Sequence, residues 1–231
     1  MKILDVKKQF GGEYPAAIVV DGIRIPLSKE RQFSRCYDWD DHKSVTEISR
    51  FLDGSASVTA SELQQEWPTW KDETRLDFCQ NCCWLHEQAD FPDMLRFIMQ
   101  HGSPDDWSGI ALSVASLLPR DESFEALVRA LRGTELGRSS NIAQAIARTK
   151  HPEAVATLRG HLAALWAHPT LWEDDEFNVG FDVMTCIQHL IELDAPPSDF
   201  TDQVRRLSEH ACSDIRRFCR NHLSKHYSWL K

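Results

Sequence analysis

A column of apolar residues that returns at a nearly constant interval constrains this chain more than any other feature. Five segments carry an apolar anchor, with further column positions four and seven residues later, and these positions share one face of a helix. The anchors are Phe78, Ile110, Ile142, Val183 and Ile215, at intervals of 32, 32, 41 and 32 residues. This interval predicts pairs of helices that stack, because a single pair cannot bury its apolar face alone.

The later members of the column are mostly apolar as well. In chain order they are Cys82 and Leu85, Val114 and Leu117, Ile146 and Thr149, Ile187 and Leu190, and Cys219 and His222. Each Ile or Leu buried in this way contributes roughly 1.5–3 kcal/mol, so a column outweighs any single cap or surface ion pair. A polar last position, such as His222, suits the end of a stack that meets water.

Second helices are predicted between the anchored ones. Phe91-Pro92 begins one of them, since proline in the first turn sacrifices no hydrogen bond. Another runs from Glu122 to Leu131, His151-Pro152 opens a third, and Pro196-Pro197 precedes a fourth. Their inward-facing residues are Leu95, Ile98, Leu127, Leu131, Val155, Leu158, Leu162, Leu165, Val204 and Leu207. The repeating unit is therefore a helix, a short turn and a second helix.

Residues 1–72 follow a different pattern and predict a small α+β cap. Two β-branched runs flank Asp21-Gly22, which favours a β-hairpin because this dipeptide readily adopts the positive φ of a tight turn. Two capping boxes predict helix starts: Ser44 to Glu47 and Thr59 to Glu62. We therefore expect two domains, the cap at residues 1–72 and the helical repeats at residues 73–231.

The openings of the anchored helices resemble those of HEAT-like repeats, which are armadillo-related α-solenoids. The resemblance covers residues 73–231 and rests on Asn141-Ile142, Asp182-Val183 and Asp214-Ile215-Arg216. The arginine of this opening is present only at Arg216, and the 41-residue interval carries an insertion. The resemblance implies a mainly α fold of about four and a half helix pairs, stacked as a curved solenoid that holds another macromolecule.

Composition and charge limit the classes of function that we expect for this chain. The chain has 231 residues and a formal net charge of −9, which disfavours general binding to nucleic acids. Its apolar runs are shorter than the ~20 residues of a membrane span, and its first residues lack the apolar core of an export signal. We expect a cytoplasmic protein without membrane association, whose seven cysteines are reduced thiols.

The charge is also unevenly distributed along the chain. Residues 160–204 contain nine acidic residues and no lysine or arginine, whereas residues 205–231 carry a net charge of +5. A field polarised in this way steers a basic partner toward one region and speeds encounter. The sequence therefore predicts a protein partner with a basic surface.

Within residues 160–204, the extra length of the 41-residue interval coincides with an aromatic and acidic loop. The candidate partner-binding residues of this loop are Trp172, Glu173, Asp174, Asp175, Glu176 and Phe177. Aromatic anchors surrounded by charge are typical of binding hot spots. The alternative is that the tryptophans fold back onto the helices while the acids cap the next helix. Trp39, Asp40 and Asp41 form a second candidate of similar character.

The cysteines of one predicted helix raise the question of a metal site. The candidate zinc ligands are Cys79, Cys82, Cys83 and His86. All four lie inside one helical pattern, and Cys82 occupies a column position that holds valine or isoleucine in other segments. Cysteine as a small core residue explains that placement, so we predict neither a metal nor a cofactor.

No catalytic motif is present, since the chain lacks G-x-G-x-x-G, G-K-[ST] and G-x-S-x-G. A Ser-His-Asp set can nevertheless assemble in three dimensions without a trace in the sequence. We expect a non-catalytic protein-binding solenoid and, most concretely, a bacterial immunity protein that occludes the active site of a basic toxin. The alternatives are an enzyme on the same repeat scaffold, similar to DNA glycosylases or phycobilin lyases, and a general scaffold or adaptor.

Overall fold

The computed structural model describes residues 17–20, 23–26, 59–82, 85, 88–173 and 177–230. The chain divides into two compact units, the first ending at Phe97 and the second beginning at Ile98. The domain boundary expected after residue 72 stays a prediction. Among the described residues, no helix is both long enough and apolar enough to cross a membrane.

The described part of the chain is mainly helical, as the sequence predicts. Its ten α-helices are α1 Ala60–Glu66, α2 Asp72–Asn81, α3 Phe91–His101, α4 Pro104–Leu117, α5 Arg120–Gly133, α6 Ser140–Thr149, α7 Ala154–Trp166, α8 Phe177–Glu192, α9 Thr201–Ser208 and α10 Ser213–Phe218. Short 3-10 helices lie at Trp67–Thr69, Pro169–Trp172, Pro197–Phe200 and Ser228–Leu230, and a π-helical turn at Cys219–Leu223.

Two short strands precede the helices in the first unit. β1 (Ala17–Val20) and β2 (Ile23–Pro26) run antiparallel, with Val20 opposite Ile23. The Asp21-Gly22 turn and the Ser44 to Glu47 capping box lie outside the described residues. The turn and the cap as a whole therefore stay predictions.

The capping box at the start of α1 is confirmed. The Thr59 hydroxyl accepts the Glu62 N–H at 3.2 Å, and the Glu62 carboxylate accepts the Thr59 N–H at 2.7 Å. Asp90 adds another acceptor at this helix end, since its carboxylate takes the Ala60 N–H at 2.7 Å. Burial raises the pKa of Asp90, but this bond and one from Gln88 bring the pKa below its ordinary value.

Helix α2 is shorter than the apolar column predicts. Phe78, Cys82 and Leu85 are all buried, but α2 ends at Asn81 and Cys82 already leaves helical geometry at ψ 1°. The aromatic core of this unit lies beside it, where Trp70 contacts both Trp67 and Phe78, with ring centroids 5.8 and 5.4 Å apart. The first column therefore packs as predicted, although not on one continuous helix.

In the second unit, the anchored helices pack against one another in chain order. Helix α4 contacts α6, α6 contacts α8, and α8 contacts α10. Helix α5 lies against both α4 and α6, α7 lies against both α6 and α8, and α9 contacts α10. Helices α5 and α7 thus each lie against two consecutive anchored helices, whereas α9 lies against one.

The columns on these four helices form the core of the second unit. All four anchors, Ile110, Ile142, Val183 and Ile215, are fully buried. The residues four positions later are fully buried too, and they are Val114, Ile146, Ile187 and Cys219. At the seventh position Leu117 is only half-buried and His222 is exposed, so the column opens to water at its two ends. The predicted burial of these columns is confirmed except at Leu117, and the exposure of His222 agrees with the polar last position that the sequence predicts.

Helices α8 and α10 approach closely because of one glycine. A Cβ placed on Gly180 would lie 2.1 Å from Cδ1 of Ile215, the anchor of α10. Beyond α10, the chain end is held by Tyr227, whose hydroxyl donates to the Pro197 carbonyl at 2.6 Å. Burial raises the pKa of Tyr227 to about 12.

Candidate protein-binding site

The aromatic part of the predicted site lies on the connection between α7 and α8. This connection turns through the 3-10 helix Pro169–Trp172, with proline at its first position. His168 caps the turn, since its Nδ1 accepts the Thr170 N–H at 3.4 Å. Leu171 is fully buried and holds the connection against the helices.

Trp172 lies back against the helices, as the alternative interpretation of the loop has it. Its ring meets Trp166 edge-on, with centroids 5.2 Å apart, and lies 5.6 Å from the ring of His210. The Arg206 guanidinium lies over both indoles, 4.3 Å from the Trp172 centroid and 5.3 Å from that of Trp166. Both indoles are only half-buried, so they pack and still offer surface to a partner.

His210 ties this connection to the turn before α10. It is buried, and its Nδ1 accepts the Cys212 N–H at 3.0 Å. The proton of the neutral ring therefore lies on Nε2, which donates to the Leu171 carbonyl at 2.5 Å. We call the 3-10 helix Pro169–Trp172 the loop base. It is held in place by this hydrogen bond, by the buried Leu171 side chain and by the contact of Arg206 with the Trp172 ring.

The acidic part of the predicted site is described only in part. Glu173 is exposed and ends the 3-10 helix. The other candidate positions lie outside the described residues: Asp174, Asp175, Glu176, the Phe177 side chain, Trp39, Asp40 and Asp41. The structure thus brings Trp172 and Glu173 to one surface, and the remaining candidates stay predictions.

Several acids of residues 160–204 have partners of their own. Asp199 pairs with Arg159 at 2.5 Å, and Asp202 lies 3.9 Å from Arg205. Glu192 accepts bonds from Gln188 at 2.9 Å and from His189 at 2.6 Å. Burial raises the pKa of Glu192, but these bonds bring it below its ordinary value. The charge available to a basic partner is therefore smaller than the nine acids in the sequence suggest.

Asp182, one of the nine acids counted in residues 160–204, is buried and so adds nothing to an acidic surface. Its Oδ2 accepts the Gly137 N–H at 3.0 Å, the Ser139 N–H at 2.8 Å and the Ser139 hydroxyl at 2.5 Å. The Ser140 N–H also points to this carboxylate. On the far side of Ser139, its Oγ lies 2.7 Å from Nε2 of His161.

This arrangement is a Ser-His-Asp set, but its order differs from that of a nucleophilic triad. In such a triad the histidine lies between serine and aspartate and takes the serine proton. Here Ser139 lies in the middle and is fully buried, so its hydroxyl cannot meet a substrate. The set instead serves the start of α6, whose N-cap residue Ser139 makes no side-chain capping bond to its own helix. Asp182 supplies the missing acceptor from α8.

Burial governs the ionisation of this cluster. It raises the pKa of Asp182, against the opposing effect of the hydrogen bonds from Ser139, Gly137 and Ser140. It lowers the pKa of His161 to about 4, so this ring is neutral near pH 7. It also raises the pKa of the Cys186 thiol, one turn after Asp182 on the same helix. A thiol that burial keeps protonated suits packing, and an imidazole with so low a pKa is a weak proton acceptor near pH 7.

The zinc interpretation gains no support among the described residues. Cys79 and Cys82 are buried, and the Cys82 thiol donates to the Cys79 carbonyl at 3.5 Å. Cys83 and His86 lie outside the described residues, and within the rest no group of three potential ligands comes together. Burial raises the pKa of the Cys219 thiol to about 12, as expected for a core cysteine.

No known family model, curated protein or solved structure matches the chain. Sequence reasoning missed two contributors to the site, Arg206 and His210. A signal for Arg206 was present, since cationic residues 205 and 206 directly follow the acidic segment. His210 left no such signal, because its role depends on a carbonyl 39 residues away.

Proposed function

We propose that this chain is a HEAT-like helical-repeat protein that binds another protein and catalyses no reaction. In its most concrete form it is an immunity protein of the bacterial cytoplasm, which covers the active site of a basic toxin. The proposal includes a small N-terminal α+β cap that contains a β-hairpin. The proposal rests on the fold and on charge, because no motif and no relative supports it independently.

The observation that carries the proposal is the order in which the helices pack. Helices α4, α6, α8 and α10 contact one another in chain order, and α5 and α7 each lie against two of them. Rows of paired helices offer extended surfaces, and repeat proteins use such surfaces to bind macromolecules.

The charge of the loop between α7 and α8 defines the partner's chemistry. Glu173 is exposed on a base fixed by Leu171, Trp172 and His210. A fixed base favours binding because little conformational freedom is lost when the partner arrives. In the sequence, Glu173 opens a run of four acids, which would meet lysine and arginine side chains around the toxin's cleft.

The test takes each protein encoded beside this gene, the toxin of the proposal being one of them, and titrates it against this chain at low and at near-physiological salt. Binding at a one-to-one ratio, with loss of toxin activity, is the expected result. Glu173→Lys should slow association about threefold to tenfold at low salt, because charges at the rim of an interface act mainly on the association rate.

The control variant is Glu125→Lys, which changes the net charge equally on the exposed side of α5. At near-physiological salt, where the screening length is about 8 Å, it should leave the association rate within about twofold of wild type, whereas Glu173→Lys should still slow association. Neither variant should alter thermal stability. A toxin that fails to bind at low salt would contradict the proposal, and equal effects of both variants would exclude Glu173 from the interface.

A further inference from the structure

The surface around the loop base carries two indoles and two opposite charges. We call it the tryptophan–arginine patch, and it consists of Trp166, Trp172, Glu173 and Arg206. The indoles are half-buried, and both charged residues are exposed. Tryptophan and arginine are the residues most enriched in binding hot spots.

Arg206 lies over the indoles although an acid of its own helix is within reach. Asp202 precedes it by four residues on α9, a spacing at which Asp and Arg readily pair. Asp202 instead lies near Arg205, and Arg206 has no carboxylate partner in the part of the chain that the structure describes. A guanidinium stacked on an indole keeps the N–H groups of its edge available, in a planar fork that fits a carboxylate.

The patch also carries the carboxylate that such a fork would bind. Glu173 directly follows Trp172, whose ring lies under Arg206, and no ion pair of Glu173 occurs among the described residues. A surface with one cation and one anion side by side is complementary to itself after a two-fold rotation. Arg206 of one copy then faces Glu173 of the other, and the reverse pair forms as well.

We propose that the tryptophan–arginine patch is an interface between two copies of this chain related by a two-fold axis. The indoles of both copies meet at its centre, and two Arg206–Glu173 pairs flank them. A partner of one uniform charge would pair with only one of the two exposed charged residues, Arg206 or Glu173. A second copy satisfies both charges, whereas nucleic acid would meet the acids of residues 160–204.

The test is the oligomeric state of the protein alone, measured by sedimentation equilibrium at near-physiological salt. Screening matters because each copy carries a net charge of −9. We expect a monomer–dimer equilibrium between about 1 and about 100 µM. Arg206→Glu and Glu173→Arg should each weaken the dimer at least about tenfold, since each places like charges opposite one another.

The double variant Glu173→Arg with Arg206→Glu separates charge pairing from any effect on folding. Every new arginine then faces a new glutamate of the other copy, so the dimer should return to within about threefold of the wild-type affinity. The control is Arg220→Glu, which makes the same charge change at an exposed residue outside the patch and should leave the dimer intact.

Three results would overturn the proposal. These are a monomer at about 100 µM, a dimer that neither single reversal weakens, and a double reversal that restores nothing. Because the protein is measured without a toxin, failure here leaves the proposed function unaffected. Success would mean that the dimer covers Glu173, so a toxin would have to displace the second copy.

Discussion

At the scale of single residues, Asp182 links two helices that are far apart in sequence. Its carboxylate takes the donors at the start of α6 from a position on α8, 43 residues after Ser139. The sequence counted it with the other acids of residues 160–204, because nothing local distinguishes it from Asp199 or Asp202. The Asp182-Val183 pair predicted a helix opening, but α8 begins earlier, at Phe177, and the partners of Asp182 depend on how the helices pack.

Removing this carboxylate should destabilise the second unit strongly. Asp182→Ala leaves the buried N–H and hydroxyl of Ser139 and the part-buried N–H of Gly137 without their acceptor, and each loss at a buried group costs about 1–3 kcal/mol. We expect the free energy of unfolding to fall by about 3 kcal/mol or more in urea titrations. Asp182→Asn keeps an acceptor oxygen and should lose less than half as much.

The same pair of variants has a pH signature. Because burial raises the pKa of Asp182, the folded state favours its neutral form, and the stability gained from this group is full below the ordinary pKa. That contribution disappears as the pH rises through the raised value. Asp182→Asn should therefore lack this decline, and an identical pH dependence in both proteins would contradict the assignment.

At the scale of elements, local chemistry predicted helix starts better than helix ends. The box at Thr59 and Glu62 was visible in the sequence, whereas Ser103 and Asp106 cap α4 in the same way with aspartate in place of the expected glutamate. Helix α2 ended early because Cys82 leaves helical geometry, and no glycine or proline marked that point. The predicted columns are nevertheless buried, because burial depends on the interval between the apolar residues more than on the exact helix boundary.

Two helical glycines offer a matched test of how closely the elements pack. A Cβ on Gly180 would lie 2.1 Å from Cδ1 and 2.9 Å from Cγ1 of Ile215, whereas one on Gly160 would meet nothing within 4 Å. Gly180→Ala should destabilise by about 1–3 kcal/mol through overpacking. Gly160→Ala should stabilise by about 0.5–1 kcal/mol, because alanine costs less conformational entropy in a helix.

Shortening Ile215 should relieve the clash that Gly180→Ala creates. Combining Gly180→Ala with Ile215→Val removes Cδ1, the atom nearest to the new methyl group, and should recover part of the lost stability. Chemical denaturation of all four proteins provides the comparison. Equal effects of alanine at the two glycines would mean that α8 and α10 do not approach as described.

At the scale of the whole molecule, the second unit is built from contacts between neighbours. Helix α6 contacts α4, α5, α7 and α8. Among the described α-helices, α10 has extensive contacts with α8 and α9 alone. In the solenoid that we propose, stability is close to a sum of unit and interface contributions, and units with fewer neighbours open first. The sequence interval predicted the helices of this row. It could not predict the acid partners or the loop base, because both depend on residues brought together from different units.

Two equally buried anchors should therefore differ in how many helices are affected when each is replaced. Ile142 on α6 and Ile215 on α10 are both fully buried, so alanine should cost about 2–5 kcal/mol at either site. Native-state hydrogen exchange should separate them, because Ile142→Ala weakens a helix that contacts four others. We expect Ile142→Ala to speed amide exchange from α4 to α8, and Ile215→Ala to speed it mainly in α10 and the turn that follows. A single cooperative opening shared by all helices of the unit, with both variants raising every rate alike, would contradict a neighbour-by-neighbour stack.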